Sequence, residues 1–79
     1  SQFEAGQHAE GLIDQLPLSF VKLARKYTTN NLSSGMRDEL KVLIERSHRR
    51  GLEVIGHGVE DAQSAATLWM SGIDFIQGN

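Results

Sequence analysis

Apolar and polar positions along the chain change period several times, and each change marks a predicted element. Residues 7–14 follow a weak helical pattern, with Leu12 and Ile13 supplying the apolar surface before Leu16-Pro17 stops it. Residues 18–24 alternate as a strand does, with Phe20, Lys22 and Ala24 facing one way and Val21 and Leu23 the other. Polar composition over 25–33, including Thr28-Thr29-Asn30-Asn31, reads as loop. From 34 to 50 the residues Met36, Leu40, Leu43, Ile44 and Ser47 form one helical stripe, with Ser33 or Ser34 as the cap and Gly51 as the stop. Residues 52–56 read as a short buried strand that runs into a glycine-spaced turn bracketed by His57 and Glu60. Asp61 then caps a helix that carries Ala62, Ala65, Ala66, Leu68 and Trp69 and ends at Gly72, and residues 73–77 make a last strand. Within that helix, Trp69 and Met70 are expected to pack against the sheet.

Strands and helices alternating over short connections predict an α/β fold with parallel strands joined by right-handed crossover helices. No tandem repeat or low-complexity stretch interrupts the pattern. In such folds chemistry gathers at the carboxyl ends of strands, where the loops share one crevice. Three strands end alike, with a large apolar residue and, two positions later on the same face, a polar one: Phe20/Lys22, Ile55/His57 and Phe75/Gln77. Facing a barrel interior, the first of each pair would form a packing layer and Lys22, His57 and Gln77 a polar ring above it. Alternatively, these polar residues simply sit at strand ends that meet water. Asp74, on the face opposite Gln77, is expected to face the helix layer or cap a nearby backbone. His8 and His48 read as surface residues.

Composition narrows the classes. The 79 residues allow one small domain at most. Eight Lys and Arg against ten Asp and Glu, for a net charge of −2, give no footprint for a nucleic-acid polymer. The cluster Arg46, Arg49 and Arg50 is read as cations favoured by the end of a helix dipole. Cysteine is absent, so disulfides and thiolate chemistry are excluded. No apolar run reaches membrane-spanning length and the first residues do not read as a signal peptide. The chain is expected to be a piece of something longer.

Four stretches in order resemble the C-terminal third of EAL domains, the bacterial (β/α) barrels that bind cyclic di-GMP and often hydrolyse it. Leu16-Pro17-Leu18-Ser19-Phe20-Val21-Lys22-Leu23 resembles the LPxDxxKxD strand of that family. Val54-Ile55-Gly56-His57-Gly58-Val59-Glu60 is similar to V-(V/I)-A-E-G-V-E, and Gly72-Ile73-Asp74-Phe75-Ile76-Gln77-Gly78 to G-x-D-x-x-Q-G. Ser1-Gln2-Phe3-Glu4-Ala5-Gly6 falls on D-D-F-G-T-G. The resemblance implies residues 1–79 of a partial EAL domain, the closing βα units of a (β/α)8 barrel. Such a barrel takes roughly 250 residues, so the chain alone is expected to fold poorly or to self-associate.

Hydrolysis in that family needs magnesium or manganese to activate a water, and hard cations of this kind are held by carboxylates. By the resemblance, Ser1 and Gln2 occupy the paired-aspartate positions, Ala24 that of the aspartate two residues after the lysine, and His57 that of the first glutamate of E-G-V-E. Glu4 and Ala5 replace the Gly-Thr of a loop that couples the site to dimer contacts. Lys22, Glu60, Gln77, Phe3 and Gly6 are retained. A mouth so altered repels Mg²⁺ yet suits phosphate anions through Lys22 and backbone donors. A lone His57 is poor evidence for zinc. The reading is therefore a catalytically degenerate EAL domain, of the receptor type that regulates pili and biofilms. It is expected to hold no metal or other cofactor and to bind cyclic di-GMP through Lys22, His57, Glu60 and Gln77. An active cyclic di-GMP phosphodiesterase using Mg or Mn, and a nucleotide-free protein-interaction module, are the alternatives. A cytoplasmic location, a GGDEF or sensor domain in the same full-length chain, self-association, and outputs in biofilm formation and motility complete the expectation.

Overall fold

Val21 and Leu23 point to one side of the first strand and Phe20 and Lys22 to the other, and this alternation sets the layers of the molecule. The computed structural model describes residues 19–79. Its elements are strand β1 (Ser19–Lys22), a 3-10 turn (Arg25–Tyr27), helix α1 (Ser34–Arg49), strand β2 (Leu52–Val59), helix α2 (Ala62–Ser71) and strand β3 (Phe75–Gly78). The three strands make one parallel sheet in the order β1-β2-β3. Val21 stands level with Val54, and Lys22 with Ile55, which in turn is level with Phe75. The expected helix over 7–14 and the segment resembling D-D-F-G-T-G, including Ser1 and Gln2, lie outside the described residues.

Both helices begin and end where their capping residues dictate. The Ser33 hydroxyl accepts the Met36 amide at 3.2 Å, which satisfies one of the orphan donors of the first turn of α1. Asp61 does the same for α2, accepting the Ser64 amide at 2.8 Å and the Ser64 hydroxyl at 3.2 Å. At the far end of α2, Gly72 adopts φ 102°, and its amide and that of Ile73 close back on the last carbonyls of the helix.

The core lies between the helices and one face of the sheet. Leu40 and Ile44 from α1 and Leu68 from α2 meet Leu23, Val54, Val59 and Ile73, with Tyr27 closing the side. Ser47 completes the predicted stripe of α1, and its hydroxyl donates to the Leu43 carbonyl at 2.9 Å rather than remaining buried without a partner. The opposite sheet face has no helix on it among the described residues, and Phe20 and Phe75 stay 52% and 45% exposed there.

Three local expectations are corrected. Residues 25–33 are not simply a polar loop: Tyr27 and Thr28 are buried, and the Tyr27 hydroxyl donates to Glu39 Oε1 at 2.7 Å. An aromatic ring with a tethered hydroxyl can thus close the core from a stretch of polar composition. Second, β2 does not end at Gly56 but continues to Val59. Third, Trp69 and Met70 do not pack on the sheet, since they are 54% and 83% exposed. The buried positions of α2 are Ser64 and Leu68, one helical turn apart, and this stripe leaves Trp69 and Met70 on the outer side.

Asp74 behaves as expected of a residue on the helix side. Its Oδ2 accepts the Val54 amide at 2.7 Å and meets His48 Nε2 at 2.7 Å, while its own amide donates to the Val54 carbonyl at 3.1 Å. His48 is exposed, and this contact ties the last turn of α1 to the connection into β3.

Candidate functional site

The carboxyl ends of the three strands carry the candidate residues, and a bulge in β2 decides how they are aimed. Ile55 and Gly56 pair with Phe75 and Ile76, but the next pairing is Val59 with Gly78. Strand β2 therefore spends one residue more than β3 across His57 and Gly58. Such an insertion bends the strand and resets its alternation, as bulges near functional sites commonly do. Burial follows the shift: Val54, Gly56 and then Val59 are buried, while Ile55, His57 and Gly58 are half-buried. The glycine-spaced turn predicted at 57–60 is thus a bulge inside the strand, and His57 belongs to β2.

Lys22 closes β1, exposed, beside Ile55 in the register. Ala24 is exposed just ahead of the 3-10 turn, and the Leu23 amide between them still donates to the Ile55 carbonyl at 2.9 Å. Gln77 is exposed in β3. Glu60 is exposed just after β2, and one of its carboxylate oxygens accepts the side-chain amide of Asn79. On the open face the rings of Phe20 and Phe75 lie 6.1 Å apart between centroids, tilted by 59°. With Ile55, Ile76 and Gln77 they line an apolar depression of about 350 Å³. Phe20 and Phe75 meet although they are not level in the strand register, so contacts on this face run obliquely across the strands. Gln77 stands at the rim of this depression. No hydrogen bond joins Lys22, His57 and Gln77 to one another among the described residues.

A group not foreseen from the sequence, Arg25, shares this end of the sheet. Gly58 has φ 68°, and a Cβ built on it would fall 2.9 Å from Arg25 Nη2 and 3.0 Å from its Cζ. The guanidinium therefore rests against the bulge, in space that only a glycine leaves open. Arg25, Thr28, Asn30, Gly58, Glu60 and Asp61 line a polar cleft of about 200 Å³ there. The sequence did hold a signal for this contact: a cation three residues past Lys22, just beyond the end of β1, and a glycine following His57 on the neighbouring strand.

Among the described residues, the strand ends present few carboxylates to a hard divalent cation. Asp61 uses both carboxylate oxygens to cap α2, one oxygen of Glu60 accepts from Asn79, and Ala24 and His57 offer no carboxylate. Among the described residues no group of three or more His, Asp or Glu side chains converges on one point. The arginines of the helix end lie elsewhere: Arg46, Arg49 and Arg50 line a cleft of about 460 Å³ with Val21, Leu43 and Leu52, by the start of β2. No helix among the described residues is long and apolar enough to cross a membrane.

A family model described as EAL domain matches residues 1–79. The structure is similar to the Xanthomonas citri FimX EAL domain in complex with c-diGMP, at 26% identity and a TM-score of 0.70, over 98% of this chain and 31% of that one. It is also similar to the EAL enzyme Bd1971 in its cAMP-bound form, at 29% identity and a TM-score of 0.68, over 95% of this chain and 21% of the other. The form of Bd1971 bound to cAMP and cyclic-di-GMP gives 29% identity and a TM-score of 0.69, over 86% and 18%. An uncharacterized protein of Azorhizobium caulinodans is 29% identical over 77 residues, which are 96% of this chain and 10% of that protein. The chain thus spans about a tenth of that curated relative and less than a third of either solved structure.

Proposed function

The chain belongs to the EAL domain family, and from that premise we propose that it supplies the closing βα units of a barrel that takes up cyclic di-GMP as a regulatory ligand without hydrolysing it. One observation carries the reading. The strand ends keep cationic and neutral hydrogen-bonding groups, Lys22 and Gln77, and hold Ala24 and His57 where the family resemblance expects carboxylates. A hard dication needs oxygen donors and a negative local potential, and both weaken when acids become alanine and histidine. A phosphodiester needs the reverse: an ammonium, amide donors and few competing anions. Support also comes from the FimX EAL domain, which was solved in complex with c-diGMP. On this reading the nucleotide-facing residues are Lys22, His57, Glu60 and Gln77, with no resident metal. The protein is then a cytoplasmic component of bacterial signalling. A GGDEF or sensor domain in the same chain and self-association are its expected partners, and biofilm formation and motility its outputs.

Calorimetric titration of the full-length protein with cyclic di-GMP, with and without Mg²⁺ or Mn²⁺, tests the proposal together with a product assay. Micromolar or tighter binding that ignores the metal, with no linear dinucleotide formed, is the expected result. Linear product that depends on metal and vanishes in Lys22→Ala would establish a phosphodiesterase instead. Absence of binding would leave a module that acts through protein contacts.

A further inference from the structure

The cleft between Arg25 and Glu60 has a donor and acceptor pattern that a phosphate does not match. Its lining pairs one guanidinium with the carboxylates of Glu60 and Asp61, and a phosphate would meet repulsion from both acids. The described ion pairs join Lys26 to Glu39 and His48 to Asp74, and neither uses Arg25. Asp61 is committed to capping α2, whereas the bond from Asn79 engages only one oxygen of Glu60. What remains is a forked cation and a carboxylate oxygen lining one cleft, together with Thr28 and Asn30. A guanine base presents this arrangement in reverse. Its O6 and N7 accept a bidentate guanidinium, and its N1–H and N2–H donate to a carboxylate. The cleft, at about 200 Å³, is sized for a single base rather than a whole dinucleotide.

We propose that Arg25 and Glu60 form a subsite for one guanine of the ligand, with Gly58 kept side-chain-free so that the guanidinium can lie flat beside the bulge. This rests on the reading that the complete barrel takes up cyclic di-GMP. The subsite gives base specificity, while Lys22 serves the phosphates. Adenine, which offers an amino donor where guanine has O6, does not match the Arg25 fork.

The full-length protein, unaltered and as Arg25→Ala, Arg25→Gln and Glu60→Gln, is titrated with cyclic di-GMP and with cyclic di-AMP. Circular dichroism checks that each variant is folded. Arg25 is exposed and no hydrogen bond from its side chain occurs among the described residues, so Arg25→Gln is expected to keep the fold. The expected result is a loss of cyclic di-GMP affinity by roughly 5- to 150-fold on removing the Arg25 fork, with weak cyclic di-AMP binding unchanged. Equal affinity of the unaltered protein and Arg25→Gln for cyclic di-GMP overturns the subsite and leaves the receptor reading standing. Parallel weakening of both nucleotides overturns base recognition in favour of a phosphate or structural role. If the unaltered protein binds neither nucleotide, the receptor reading falls and the subsite with it.

Discussion

Asp74 holds three parts of the molecule through one carboxylate oxygen, and its replacement by alanine separates their contributions. The Val54 amide it accepts at 2.7 Å belongs to a fully buried residue at the centre of the sheet. Stripped of that acceptor, the amide pays its desolvation cost, about 1–3 kcal/mol. The second contact, to His48 Nε2 at 2.7 Å, joins side chains that are 40% and 26% exposed. A pair so open to water is worth about 0.2–1 kcal/mol. Asp74→Ala should therefore cost about 1–4 kcal/mol in total, whereas His48→Ala should cost less than about 1 kcal/mol. Asp74→Asn keeps an acceptor for Val54 and falls between them. Urea unfolding of the complete domain, followed by far-ultraviolet circular dichroism, reads these differences as midpoint shifts at constant slope. If His48→Ala costs as much as Asp74→Ala, or Asp74→Ala costs under about 0.5 kcal/mol, the buried amide is not what the carboxylate stabilises.

Leu40 is fully buried beneath α1, so Leu40→Ala should destabilise the complete domain by about 2–5 kcal/mol. Met70→Ala, at a side chain 83% exposed, should stay within about 0.5 kcal/mol by the same unfolding measurement. The Tyr27 phenol is held above its ordinary 10.0, first by its hydrogen bond to Glu39, then by burial and the Glu39 charge. Since the folded value lies above the unfolded one, this contribution is complete below about pH 10 and is lost as pH rises through the higher folded value. Titration of phenolate absorbance should show that rise, and Glu39→Gln should bring the transition back toward 10.0.

Sequence pattern carried the layers further than it carried the site. The stripe of α1, a serine cap at 33 or 34 (the structure uses Ser33), the Asp61 cap of α2 and the burial of Leu23 all follow from period and capping chemistry, and the structure has each of them. These features are local, and one competing rule rarely overrides them. The bulge at His57 and Gly58 was not legible, because a glycine after a histidine serves a turn and a bulge equally well. Only the register against β3 separates the two. Tyr27 was hidden by its polar neighbours, and Trp69 and Met70 misled because apolar character says little about which side of a short helix meets the core. Arg25 was placed correctly in a polar stretch, yet its approach to Gly58 depends on the path of the 3-10 turn, which composition does not specify.

The residues that follow β1 separate the positions that build the core from those at the mouth of the sheet. Leu23 and Ala24 are adjacent in the chain but belong to different functions: Leu23 is 2% exposed in the core, and Ala24 is exposed at the strand end beside Lys22. One is buried and the other faces water just past the end of β1, so a change at Ala24 leaves the packing of Leu23 untouched. Leu23→Ala should cost about 2–5 kcal/mol through the cavity it opens. Ala24→Asp, which restores the acid that the family resemblance expects, should shift stability by no more than about 0.5 kcal/mol, because its carboxylate meets water. His57→Glu, at a half-buried position in the bulge, should cost more than Ala24→Asp and less than Leu23→Ala. A core built on one side therefore places little packing constraint on the residues of the other. Measured in the complete domain, an Ala24→Asp penalty equal to that of Leu23→Ala would show instead that the mouth and the core are one packing unit.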